Sequence, residues 1–192
     1  MERLKVFDEN YTYLRDESRD DVHLKGLWHE TFHCWLLDEK FIYIQKRSNV
    51  KKDFPGLYDI TAAGHILSTE TVMDGIREVE EELGIEIDMQ KLHSKGIVRD
   101  GIELSNFIDH EFANVFLYES TFTARDFSLQ LEEVESVHIV KREDLIQLFL
   151  SEVMTVTCRN IHDGTTVIIS LPDFVPHERM YFEQVALFMR GL

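Results

Sequence analysis

Residues 64–85 read GHILSTETVMDGIREVEEELGI, and the reading of this stretch decides how the rest of the chain is understood. Thr71 followed three residues later by Asp74 is a capping-box pattern, and Gly84 marks a stop, so a helix is expected over about residues 72–83. Val72, Ile76, Val79 and Leu83 recur at the helical period and predict one buried stripe. Glu78, Glu81 and Glu82, spaced i, i+3, i+4, are expected to share one narrow, surface-facing sector away from that stripe. Like charges so spaced repel by roughly a few tenths of a kcal/mol per pair, and Glu81 and Glu82 also lie near the negative end of the helix dipole. Arg77 can pair with Glu81 one turn on, but one guanidinium does not neutralise three carboxylates. A divalent cation is the natural missing partner, and hard oxygen ligands with room for water and phosphate suit Mg²⁺ or Mn²⁺. The ordinary alternative, a solvated Glu-rich helix face, is set aside by the order of the parts.

That order closely resembles the Nudix box, the signature of the Nudix hydrolases. Gly64, Glu70, Arg77, Glu78, Val79, Glu81, Glu82, Gly84 and Ile85 fill its defined places. One departure is present: six residues, Thr71 to Ile76, separate Glu70 from Arg77 where the box has seven. The shortening falls where the loop runs into the helix, so it bears on Glu70 more than on the helical carboxylates.

Composition narrows the class. A chain of 192 residues suits one domain with a proper core, and 44% hydrophobic content with 13 phenylalanines is that of a packed globular protein. A net charge of -16 argues against nucleic acid or an anionic membrane as a standing partner, because the phosphate attraction would be reversed. A phosphorylated small molecule remains compatible where metal ions supply local positive charge. Two cysteines, Cys34 and Cys158, make no disulfide framework, so a reducing cytoplasm is the expected location. Residues 1–20 carry charges throughout with no apolar signal region, and no run approaches a membrane span.

Along the chain, Leu4–Leu14 reads as a hairpin, Ser18–Asp21 as a cap on a short helical turn, and His23–His29 as a connector carrying Gly26. Strands are expected at Thr31–Leu37, Phe41–Gln45 and Leu57–Ala63, the last delivering Gly64. After the box come a strand within Ile87–Val98, a loop over Arg99–Phe107, a long strand over His110–Glu119, and another over Glu132–Val140. Arg142–Leu150 is an amphipathic helix with Leu145, Leu148 and Phe149 inward. Residues 151–192 read as an extension, a hairpin then a helix over His177–Arg190, with a dimer surface or a lid as open readings. His29 to His33 also matches HExxH, but that zinc site needs both histidines one turn apart on a helix. In a strand, residues four apart lie roughly 13 Å apart, so the protease reading is rejected.

Outside the box the chain resembles isopentenyl-diphosphate isomerase, a Nudix-fold enzyme. His23, His29, Phe32, Trp35, the run KDFPGLYDITAAGH up to His65, and Asp109 and Glu111 before Val115-Phe116 follow its order. The resemblance implies that His23, His29, His65, Asp109 and Glu111 bind a second metal, for which mixed imidazole and carboxylate ligands favour Zn²⁺ or Mn²⁺. Each histidine alone could equally be an ordinary surface or core residue. The family's proton-transferring cysteine before Gly-His is Ala63 here, whose methyl exchanges no proton.

The expectation is therefore an α/β protein, a Nudix-type α/β/α sandwich with a mixed sheet. Its core spans about residues 28–150, with an N-terminal hairpin and a C-terminal extension. The expected reaction is attack of water on a diphosphate of a small metabolite. Glu78, Glu81, Glu82 and the Gly64 carbonyl hold Mg²⁺ or Mn²⁺, one of these glutamates or Glu111 takes the water's proton, and Arg77 positions the carboxylates. Expected partners are the diphosphate substrate and, as one candidate state, a second copy in a homodimer; nucleic acid and membrane are not expected. The alternatives are an isomerase and a non-catalytic binder of a phosphorylated effector. Intact Glu81 and Glu82 weigh against the binder.

Overall fold

A computed structural model describes residues 2–104 and 107–191. In chain order, β1 (Arg3–Phe7) and β2 (Tyr13–Ser18) form the N-terminal hairpin, followed by α1 (Arg19–Lys25). Next come β3 (Trp28–Leu37), β4 (Phe41–Arg47), β5 (Tyr58–Asp59) and β6 (Ala62–His65). A 3-10 turn at Val72–Ile76 leads into α2 (Arg77–Leu83), and then β7 (Leu92–Leu104), β8 (Phe107–Glu119), β9 (Val134–Lys141) and α3 (Arg142–Phe149). The chain closes with β10 (Val156–Asn160), β11 (Thr166–Ile169) and α4 (Arg179–Arg190).

The sheet is mixed. β3 runs parallel to β8 along its whole length, from Trp28 beside His110 to Leu37 beside Glu119. Its other edge is shared in succession by β1, β6 and β4. β3 and β4 pair at Leu37 and Ile42 and then part, β4 carrying β5 on its edge and β3 carrying β6. The sheet is thus forked, and the fork is where polar side chains collect.

Alternation along β3 assigns the two faces. Phe32, Cys34 and Leu36 pack with Val79 and Leu83 of α2, whereas Trp35 and Leu37 pack with Leu145 and Phe149 of α3 and Tyr181, Val185 and Met189 of α4. These two apolar layers make the α/β/α sandwich. Residues after 150 supply much of the second layer, so the expected C-terminal extension packs into the hydrophobic core.

Several elements differ from expectation for identifiable reasons. The helix expected at 72–83 enters through a 3-10 turn, closed by the Thr71–Asp74 capping box, and ends at Gly84 with φ 70°. The turn lets Gly75 lie against β3, where a Cβ would stand 2.5 Å from that of Phe32. His23 is not in a connector: it lies in α1, capped by the Ser18 side chain and stopped by Gly26 at φ 59°. The expected loop at Arg99–Phe107 is mostly strand, since β7 continues to Leu104; Ser105 and Asn106 lie outside the described residues. Val98, Asp100 and Ile102 all point inward, and the carboxylate in the middle slot disguised the alternation. The expected single strand Leu57–Ala63 is two short ones, one on each arm of the fork.

Candidate active site

Helix α2 lies under the fork and sends its carboxylates through it. At 100° per residue Glu82 stands only about 60° from Val79, at the border of the apolar stripe, whereas Glu81 stands about 160° away. Glu82 is accordingly buried at 5% exposure, which corrects its expected surface-facing place, while the Glu81 side chain is 55% exposed. Glu82 accepts a 3.3 Å hydrogen bond from Gln45 of β4. Glu78 lies over the α-carbon of Gly64, where any Cβ would overlap its carboxyl, so a larger residue would displace the Glu78 side chain from this place.

Arg77 gathers the loop and the helix. Its guanidinium donates to both oxygens of Glu70 (2.8 and 3.3 Å), to Glu78 (2.6 Å), to Glu81 (3.2 Å) and to the His65 carbonyl (3.1 Å). Glu70 also accepts from the Leu67 amide at 2.8 Å. The shortened spacing therefore still delivers Glu70 to Arg77. A 3-10 turn advances about 2.0 Å per residue against 1.5 Å for an α-helix, so fewer residues cover the same path.

Burial pushes Glu78 up to about 7, with Arg77 opposing and Glu81 reinforcing, and pushes Glu82 up to about 8 against the attraction of Lys51. Two carboxyl groups are thus held in a site too poor in positive charge to keep both ionised at neutral pH, which is the character of a cation site.

A second cluster lies beside the first. Single ligand atoms of His23, His29, His65 and Asp109 all fall within 4.8 Å of one another. His23 Nδ1 donates to the Arg19 carbonyl and His29 Nδ1 to the Leu27 carbonyl, each at 3.0 Å, so in the neutral rings both Nε2 atoms present lone pairs inward. His29 Nε2 and Asp109 Oδ1 approach to 3.3 Å yet both are buried without a hydrogen-bond partner. Burial, then the neighbouring His29, holds His65 well below the ordinary imidazole range. Three imidazoles and a carboxylate converging with too few protons to satisfy one another fit a divalent metal. Glu111, grouped with these residues by sequence, stands apart from the quartet: its Oε2 is 3.2 Å from His33 Nε2.

Both clusters open on one cavity of about 1240 Å³, which Glu111, His33, Lys51 and Lys52 also line. Its aromatic side is Phe54 against Phe107 (ring centroids 5.8 Å apart), with Phe107 stacked on His23 at 5.1 Å. His177 closes the other side. Its Nδ1 is 2.5 Å from Asp100 and its Nε2 3.1 Å from Asp59, which also receives Arg47 at 2.8 Å. Burial opposes charge on this ring, but Asp100 and Asp59 outweigh it and raise His177 to about 10.

The NUDIX domain family model matches residues 27–155. The chain belongs to the Nudix family. It is 32% identical over 195 residues to an uncharacterised Nudix hydrolase of Clostridium acetobutylicum, covering 96% of this chain and 95% of that protein. It is also similar, at 31% over 126 residues, to isopentenyl-diphosphate Delta-isomerase 1 of Photorhabdus laumondii, covering 61% of this chain and 68% of that one. A solved structure from Deinococcus radiodurans has the same fold, with TM-score 0.58 at 20% identity over 78% of this chain and 90% of that one. Its matched relatives include proteins named Nudix hydrolases. Among its described residues no helix is long and apolar enough to cross a membrane.

Sequence reasoning weighed His33 only in the rejected HExxH pattern and gave no site role to Asp59, Asp100, His177 or Tyr181. His33 carried a readable signal: it shares a strand face with His29 and so points toward the same cavity. The others meet only through the tertiary fold.

Proposed function

We propose that the protein cleaves the diphosphate linkage of a small phosphorylated metabolite with Mg²⁺ or Mn²⁺ held by Glu78, Glu81, Glu82 and the Gly64 carbonyl. The observation that carries this reading is the pair of half-buried Glu78 and buried Glu82, raised to about 7 and about 8 in the lining of a cavity. A divalent ion, when bound there, supplies positive charge against the diphosphate oxygens and makes water a better nucleophile. Arg77 orients Glu78 and Glu81 while its contact with Glu70 keeps the loop on the helix. Glu111, on β8 and in the lining of the same cavity, takes the proton of the attacking water. Lys51 and Lys52 offset the overall negative charge for an anionic substrate, and the Phe54–Phe107 side suits an apolar or aromatic group beyond the phosphates.

His23, His29, His65 and Asp109 hold a second cation, for which the imidazole content favours Zn²⁺ or Mn²⁺. The isomerase reading ranks below the hydrolase reading because the cavity lacks a usable thiol. Ala63 stands on β6 where the isomerases carry a cysteine, and Cys34 and Cys158 are buried with their thiols pushed up by desolvation.

The test is phosphorus NMR of nucleotide, sugar and prenyl diphosphates incubated with the protein and Mg²⁺ or Mn²⁺. Cleavage of at least one class, lost in Glu81→Gln, is the expected result. Conversion of isopentenyl diphosphate to dimethylallyl diphosphate, with no diphosphate cleaved in any class, overturns it. Elemental analysis of protein refolded with Zn²⁺ or Mn²⁺ should find one equivalent that is lost when His29 and Asp109 are both replaced by Asn. Equal metal content in that variant refutes the quartet site.

A further inference from the structure

Trp35, His33 and Thr31 stand on one face of β3, and the first turn of α4 brings Tyr181 against them. The Trp35 indole N–H, which can only donate, points at the Tyr181 hydroxyl oxygen at 3.4 Å. That oxygen is 2.8 Å from His33 Nδ1. Tyrosine has a single proton to give, and among the described hydrogen bonds His33 Nδ1 is the one acceptor within its reach, so the hydroxyl donates to His33 Nδ1. A neutral imidazole that accepts at Nδ1 carries its hydrogen on Nε2. This Nε2 is 3.2 Å from both Thr31 Oγ1 and Glu111 Oε2. Donor direction therefore runs from Trp35 through Tyr181 to His33, whose Nε2–H hydrogen-bonds Thr31 Oγ1 and stands at ion-pair distance from Glu111. Tyr181 is fully buried and away from the cavity lining, so water does not compete for its hydroxyl. The last member, Glu111, faces the cavity.

We infer that Tyr181 and His33 are positioning residues, the hydroxyl fixing the His33 tautomer so that its Nε2–H steers the Glu111 carboxylate toward the attacking water. This inference rests on the hydrolase reading for its consequence, though not for its geometry. It gives the C-terminal helix a part in the site that packing alone does not require: phenylalanine would fill the same space. Removing the hydroxyl leaves His33 free to place its proton on Nδ1, and Glu111 then meets a lone pair instead of a donor.

The first measurement is nitrogen NMR of the imidazole rings in the metal-free protein, which distinguishes the two tautomers directly. The wild type should show His33 as the Nε2–H form, and Tyr181→Phe should show loss of that form. An Nδ1–H ring in the wild type overturns the inference, whether or not any diphosphate is cleaved and whether or not the variant folds. On whichever diphosphate is cleaved, Tyr181→Phe should lower kcat about tenfold with KM within about twofold, the pattern of an interaction made in the transition state. Adding it to Glu111→Gln should cost no further activity, because both act through one carboxylate. A loss that multiplies in the double variant, or an unchanged kcat in Tyr181→Phe, refutes the positioning role. Absence of hydrolysis by the wild type fails the hydrolase reading, and the tautomer measurement still decides the proton order.

Discussion

Binding of Mg²⁺ or Mn²⁺ to the metal-free protein should expel protons, by an amount that follows from the carboxyl groups of half-buried Glu78 and buried Glu82. Glu82 at about 8 is about 0.9 protonated at pH 7, and Glu78 at about 7 is about half protonated. A cation that takes both as carboxylates releases about 1.4 protons at pH 7, falling toward zero above pH 9. Apparent metal affinity should accordingly rise with pH by up to about tenfold per unit and per proton released until about pH 8. The sign for stability is fixed by the same shifts. Both folded values lie above the ordinary 4.5, so this contribution to stability is fully present below about 4.5 and is lost as pH rises through 7 to 8. Added metal should reverse that loss. Calorimetric titration at pH 7 in two buffers of different ionisation enthalpy measures the released protons directly. In Glu82→Gln the release should fall to about half a proton, with Glu78 remaining. Metal that binds with fewer than about 0.2 protons released, or a release unchanged in Glu82→Gln, refutes the account of the helix as the cation site.

Three further outcomes follow from particular contacts. Glu81→Gln and Glu82→Gln should each lower turnover by about a hundredfold or more in steady-state assays, whereas Glu80→Gln, on an exposed side of α2, should be nearly silent; equal effects at Glu80 and Glu81 refute the assignment. Gly75→Ala forces a Cβ to 2.5 Å from that of Phe32 and should cost about 1–3 kcal/mol, seen in calorimetry as a drop of several degrees in Tm; an unchanged Tm refutes the close approach. His177 is raised from 6.5 to about 10, so its stabilisation is complete below about 6.5 and fades as pH rises through 10. Urea unfolding should therefore lose up to about 1.4 kcal/mol per pH unit across that window, and His177→Gln should flatten the slope.

The parts of the site that could be read from the sequence are those whose geometry is local. Arg77, Glu78, Glu81 and Glu82 sit on two turns of one helix, and Gly64 and Glu70 on the loop feeding it, so chain spacing alone brings them together. Even there a local rule was applied too coarsely. Counting i, i+3, i+4 puts the three glutamates in one sector, but it hides that Glu82 borders the apolar stripe and is buried by the same packing that seats Val79 and Leu83. The quartet of His23, His29, His65 and Asp109 was legible only through resemblance, because it joins a helix, two strands and the parallel partner strand. The Asp100–His177–Asp59 network was legible in neither way. An aspartate in the inward slot of β7 violates the apolar alternation by which strands are recognised, and what makes the violation tolerable is a histidine 77 residues away. That partner arrives only because α4 packs back onto the sheet, and the same docking brings the Tyr181 hydroxyl to His33. The residues after 150 therefore look like an appendage in one dimension, since their few apolar anchors are spread between turns and a short helix. In three dimensions they supply one layer of the sandwich, one wall of the cavity and the start of a hydrogen-bond chain that reaches His33, whose Nε2 stands 3.2 Å from the Glu111 carboxylate.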